Sequence, residues 1–160
     1  MFYFRKVFFD LPVTHQQVER GLRKVAAKRL TSLDFKSSTS DFKSDKYFLG
    51  LEGKKDIKFT RVRTSLERPI PKIIISLSKN TDQNYYQLRL TWGWAFFFLL
   101  LALVLVLTIY GAIAGNVNTD GLFATLGFCI VYVGLVFWEM ERTNAKVNKA
   151  VKTVLTDIAE

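Results

Sequence analysis

At 160 residues, with 49% apolar and 23% charged types and a net charge of +9, the chain has room for one small folded domain and little more. The average hides two unlike parts: residues 1–91 carry 19 Lys and Arg against 9 Asp and Glu, whereas residues 92–160 carry 4 against 5. The single cysteine, Cys129, lies in an apolar run and excludes an intramolecular disulfide or a cysteine metal cage.

The opening Met-Phe-Tyr-Phe-Arg-Lys lacks the basic and then apolar pattern of a signal peptide. Residues 2–10, rich in aromatic and β-branched types, read as a first strand. Val18, Leu22, Val25, Leu30 and Leu33 then recur at helical spacing and predict a helix over 14–33. Thr14 and Gln17 form a capping box for it, and Val13 with Val18 a hydrophobic staple. Gly21 inside that helix weakens it by about 1 kcal/mol relative to Ala. His15, the lone histidine, is expected as an ordinary exposed side chain of the first turn.

Residues 33–46 are Ser-, Asp- and Lys-rich and predict a mobile loop, with Phe35 and Phe42 as candidates to dock on the domain. Four strands are predicted next, over 46–51, 57–64, 72–78 and 85–91. In the last, Tyr86, Leu88, Leu90 and Trp92 share one face, and Tyr85, Gln87, Arg89 and Thr91 the other. Pro69 and Pro71 mark a linker or a sheet edge, because proline cannot donate to a ladder.

From Trp92 to Ala114 there is no charged residue, and the second run, 122–138, stays uncharged until Glu139. Both are long and apolar enough to cross a bilayer. The turn between them carries no Lys or Arg, and every cation lies before Trp92 or after Glu141. The positive-inside rule then predicts a multi-pass protein of the cytoplasmic (inner) membrane with both termini in the cytoplasm. Trp92, Trp94 and Trp138 would mark the inner interface together with Arg142, and Tyr110 the outer one. Glu139 and Glu141 are expected at the inner boundary beside Arg142. Gly127 and Gly134, seven residues apart on one helix face, are candidates for close packing between the two spans. Gly111 and Gly115 also have small-residue spacing, but their position favours turn formation equally.

Residues 139–160 contain no Pro or Gly and predict a continuation of the second span. Val147, Ala150, Val151, Val154, Leu155 and Ile158 form an apolar stripe suited to packing on protein, on the membrane surface or on a second copy. Its small and medium aliphatics favour protein.

The fold class is thus α+β: a small antiparallel sheet covered by one helix, then a transmembrane hairpin (spans 92–114 and 122–140), then a C-terminal amphipathic helix, 141–160. No residue set identifies catalysis, a cofactor or a metal. The leading expectation is a non-enzymatic membrane protein whose basic domain, 1–91, binds a protein partner or the anionic lipid surface; homo-oligomers fit the hairpin. The leaflet's own negative charge is enough to explain the cations, which disfavours nucleic acid. The alternative is a small oligomeric transport or channel subunit.

Phe48 and Gly50, Phe59 with Arg61, and Pro71-Lys72-Ile73-Ile74-Ile75 carry a further indication. With these residues the chain resembles, over about 2–100, small bacterial membrane proteins of uncharacterised function. That resemblance implies an N-terminal α+β cytoplasmic domain ahead of a two-helix hairpin, and no activity.

Overall fold

The structure is a computed structural model that describes residues 5–9, 13–29, 32–34, 46–116 and 118–159, excluding the side chains of 119 and 157–159. The expected strand start at residues 2–4, the docking of Phe35 and Phe42, and the place of Ile158 in the apolar stripe lie outside the described residues.

The chain is α+β, with elements β1 (Arg5–Phe8), α1 (His15–Lys24), β2 (Ala26–Arg29), β3 (Phe48–Glu52), β4 (Asp56–Arg61), β5 (Ile73–Ser78), β6 (Tyr85–Leu90), α2 (Trp92–Ile113) and α3 (Thr119–Ala159). The six strands form one sheet in the order β1-β6-β5-β4-β3-β2. All neighbours are antiparallel except β2 and β3, which pair in parallel with Ala26 opposite Phe48.

Two expectations are corrected here. The sheet is larger than predicted and mixed, and α1 is shorter, ending at Lys24. Ala26, Ala27, Lys28 and Arg29 are good helix formers, but their backbone completes the ladder along β3, and tertiary pairing overrides local propensity. The start of α1 is as predicted: Thr14 N–H donates to Gln17 Oε1 (2.8 Å) and Gln17 N–H to Thr14 Oγ1 (3.4 Å).

Period-two alternation places Phe59, Ile75 and Leu88 side by side across three strands. They build a core with Phe48, Ile57, Leu77 and Tyr86. Two helices cover this face, not one as predicted: α1 supplies Val18 and Leu22, and the far half of α3 supplies Met140, Val147, Ala150 and Val151. The amphipathic C-terminal stretch therefore packs on protein, and it is continuous with the second apolar run as a single helix of 41 residues. Gly21 now has a reason. A Cβ there would stand 3.0 Å from the Ala150 carbonyl oxygen and 3.2 Å from Val151 Cα, so α1 and α3 touch backbone to backbone.

On the opposite face, residues 32–34 form a turn that lies against the sheet; most of the loop predicted over 33–46 lies outside the described residues. Leu33 is buried there with Leu49 and Ile74. The connection from β4 to β5 holds Pro69 and Pro71 and a single 3₁₀ turn, Ser65–Glu67.

α2 and α3 pack as an antiparallel pair that projects from the end of the sheet where β4 and β6 finish and β5 begins. α2 closes with Gly115 at φ +73°, where Gly115 N–H bonds Ala112 O and Asn116 N–H bonds Gly111 O. This is the Schellman arrangement, in which a left-handed glycine lets the last carbonyls find donors. Gly115 thus serves the turn. Both helices are long and apolar enough to cross a membrane, and only 6% of the most apolar stretch of α2 and 11% of that of α3 is buried.

Candidate functional site

Two arginine–carboxylate forks, one on each face of the sheet, sit at the end from which α2 and α3 project. The first is built on β4. Alternation puts Ile57, Phe59 and Arg61 on the core face, so the guanidinium of Arg61 points under α3. Its Nε donates to Glu139 Oε1 (2.8 Å) and its Nη2 to Glu139 Oε2 (3.0 Å). Both side chains are nearly inaccessible, at 3% and 1% exposure.

The remaining donors of Arg61 reach the β4–β5 connection, where Nη1 donates to Glu67 Oε2 at 2.9 Å. Glu67 also accepts from Thr64 N–H (3.0 Å) and pairs with Arg142, whose guanidinium lies 5.2 Å over the ring of Trp138. Burial alone would raise the Glu67 carboxyl, but the Thr64 amide and the two arginines outweigh it and hold the group at about 2. Burial likewise works against the charge on Arg61, and the two glutamates more than restore it. The network keeps two charges of each sign in contact, as burial of ions requires.

The second fork is built on β6. Arg89 donates from Nη1 and Nη2 to Asp34 Oδ1 and Oδ2, both at 2.9 Å. Asp34 Oδ1 also accepts the Trp92 backbone N–H at 3.3 Å. Thr91, which precedes α2, makes no side-chain capping bond, so a carboxylate 58 residues upstream serves the first turn and complements its dipole. Against the effect of burial, Arg89 keeps Asp34 below the usual carboxylate range. Nearby, Lys72 donates to the Leu33 carbonyl; burial first, then Arg63 and Arg89, lower its ammonium to about 8.

Sequence reasoning expected neither fork. It placed Glu139 beside Arg142 at a boundary, whereas Arg142 takes Glu67 and Glu139 takes Arg61. Glu141 pairs at the surface with Arg5. The parity of Arg61 with Ile57 and Phe59 was the available signal. Asp34 left none.

The aromatic residues singled out in the sequence divide. Trp92 and Trp138 are half exposed and lie at the same end of the helix pair, and Tyr110 is exposed at the other. Trp94 turns inward, with its ring stacked on Tyr132 at 6.1 Å and edge-on to Phe97 at 5.9 Å. Gly127 and Gly134 do not pack the two helices of the chain together: both are exposed, and a Cβ at either would meet nothing within 4 Å. Phe97, Phe98 and Leu101 meet Tyr132 and Val136 there instead. His15 is a further correction, being buried (3% exposed) near Phe9, with no hydrogen-bond partner for either ring nitrogen among the described residues.

The sheet face away from α1 and α3 carries a cleft of about 390 Å³ lined by Lys58, Ser76, Gln87 and their neighbours. Within it Ser76 Oγ donates to Asp56 (2.8 Å), which pairs with Lys58. Among the described residues no three His, Cys, Asp or Glu side chains converge on a point that could hold a metal ion. Comparison with known proteins finds no matching family model, no matching curated protein and no matching solved structure.

Proposed function

We propose that the chain is a non-enzymatic membrane-anchored binding module. α2 and α3 cross the cytoplasmic membrane as a hairpin, both termini lie in the cytoplasm, and the basic sheet domain is held at the inner face. There it binds the anionic lipid surface or an acidic protein partner. The single observation that supports this best is the outward surface of the hairpin. Phe96, Leu99, Leu103, Val106, Phe123 and Ile130 are all exposed on helices that the rest of the chain leaves bare. A core helix of a water-soluble domain would hide those side chains; a bilayer solvates them.

The sheet domain supplies the cationic side. Its excess of cations faces a leaflet whose negative potential attracts each nearby Lys or Arg by about 1 kcal/mol. The forks give the anchor its second property. Because Arg61 grips α3 and Asp34 grips the start of α2, the domain is carried as one piece with the hairpin. The far half of α3 completes the core, so binding is measured on the full chain.

The test uses the full chain with Cys129→Ala and a single reporter cysteine. Lys54→Cys, in the β3–β4 turn, is expected to react with a membrane-impermeant maleimide only from the cytoplasmic side, and Asn116→Cys only from the outside. Salt-sensitive co-flotation with anionic vesicles, or salt-sensitive retention of an acidic partner, is expected for the purified protein. Recovery of the chain in the detergent-free supernatant would end the proposal.

A further inference from the structure

We infer that the β4–β5 connection is a third contact with the membrane, in which Leu66 dips into the interfacial layer of the bilayer and Arg68 meets the lipid phosphates. The inference rests on the membrane reading above and adds a site to it.

Among the described residues ahead of α2, only Phe8 and Leu66 are large apolar side chains left exposed. Phe8 lies 5.7 Å from the ring of Tyr85. Leu66 is 91% exposed. A lone exposed leucine on a soluble surface needs no explanation. This one is distinguished by its place and by how firmly it is held.

Its place follows from a chain of contacts. Glu67, the next residue, pairs with Arg142, and Arg142 lies over Trp138, the last aromatic of the apolar run of α3. Leu66 therefore sits beside the point where α3 leaves its apolar stretch, at the same end as the half-exposed Trp92. Aromatic and cationic residues at that level mark the bilayer interface.

The firmness comes from the bonds on either side. Thr64 N–H donates to Glu67 Oε2 and Glu67 N–H to the Thr64 carbonyl, Arg61 holds Glu67, and Arg63 donates to the Ile70 carbonyl. Pro69 and Pro71 stiffen the rest of the connection. A presented leucine gains nothing in water, whereas in the interfacial layer it removes apolar surface from water at no further ordering cost. Arg68, exposed two residues on, has a guanidinium that can bond phosphate oxygens in pairs.

The experiment attaches an environment-sensitive nitrobenzoxadiazole probe to Leu66→Cys in the full chain carrying Cys129→Ala, reconstituted in phosphatidylcholine–phosphatidylglycerol vesicles. Lipids with a shallow or a deep nitroxide act as quenchers. Lys54→Cys at the far end of the sheet and Val106→Cys on the exposed face of α2 are the references. The probe at 66 is expected to be quenched by the shallow nitroxide about threefold more strongly than the probe at 54, with emission shifted to the blue. The probe at 106 should be quenched by the deep one.

If position 66 is as unquenched as position 54 while position 106 is quenched, the third contact is overturned and the hairpin stands. A blue shift at 66 without lipid quenching means a protein covers it, and overturns the inference as well. If position 106 is also untouched, the membrane reading falls first and takes the contact with it.

Discussion

Arg61 and Glu139 are 78 residues apart in sequence and form a two-bond fork, 2.8 and 3.0 Å, between the sheet and α3. The fork fixes where the long helix crosses the domain, because both partners are buried and Glu139 spends both carboxylate oxygens on Arg61.

Breaking the fork from one side removes the bidentate partner of a buried charge, and Arg61 without Glu139 keeps a single carboxylate bond, to Glu67. Arg61→Met or Glu139→Gln is expected to lower stability by about 3–5 kcal/mol, whereas the double change Arg61→Met with Glu139→Leu should cost far less. Thermal unfolding in mild detergent checks this. Equal loss in all three variants would show that the pair does not act as a unit.

Glu67 gives the protein an acid-sensitive joint. Its folded value of about 2 lies below the ordinary 4.5, so the carboxylate stabilises the fold above pH 4.5. That contribution is lost as pH falls from 4.5 through 2. The melting temperature should decline across this window, and Glu67→Gln should decline less, from a lower start.

Lys72 has the same sign of pH dependence, in an alkaline window. Its ammonium is lowered from 10.5 to about 8, so between those values the unfolded chain binds more protons than the folded one. Stability is expected to rise as pH climbs from about 8 to 10.5, and Lys72→Met should flatten the rise. Melts at half-unit steps of pH provide the measurement.

Gly21→Ala should destabilise the protein by about 1 kcal/mol even though alanine is the better helix former, and Gly21→Val by about 3. The added carbon meets backbone of α3 at 3.0–3.2 Å, and a helix backbone cannot step aside as a side chain can. Chemical denaturation read by tryptophan fluorescence would detect both. A stabilised alanine variant would show that the two helices can separate slightly without cost.

His15 is buried with neither ring nitrogen bonded among the described residues. Leucine there removes two unsatisfied polar atoms and keeps the apolar contact with Phe9. A gain of about 1 kcal/mol is expected for His15→Leu in the same denaturation assay.

What the sequence disclosed depended on the range of the interaction. Thr14 and Gln17 are three residues apart, and their capping box was legible. So was β6, whose alternating Tyr86, Leu88 and Leu90 need only a period of two. The apolar runs of α2 and α3 announced themselves by composition. β2 was missed because Ala26–Arg29 has no strand character of its own and becomes a strand only against β3. The forks were missed because their partners come from distant parts of the chain. Arg61 could have been suspected from its parity with Ile57 and Phe59; nothing local singles out Asp34. The packing role expected of Gly127 and Gly134 failed because the helices meet through Tyr132 and its neighbours, on another side of α3.

The uninterrupted run of α3 has a mechanical consequence. Forty-one residues at about 1.5 Å each make a rod of roughly 60 Å with no hinge glycine after Gly134. Half of the rod is suited to lipid, and the other half is a wall of the globular core. In a thicker or thinner bilayer such a rod changes its tilt. The sheet, pinned to it by Arg61, would swivel through the same angle, so the thickness of a surrounding membrane would set which surface of the globule faces away from the lipid.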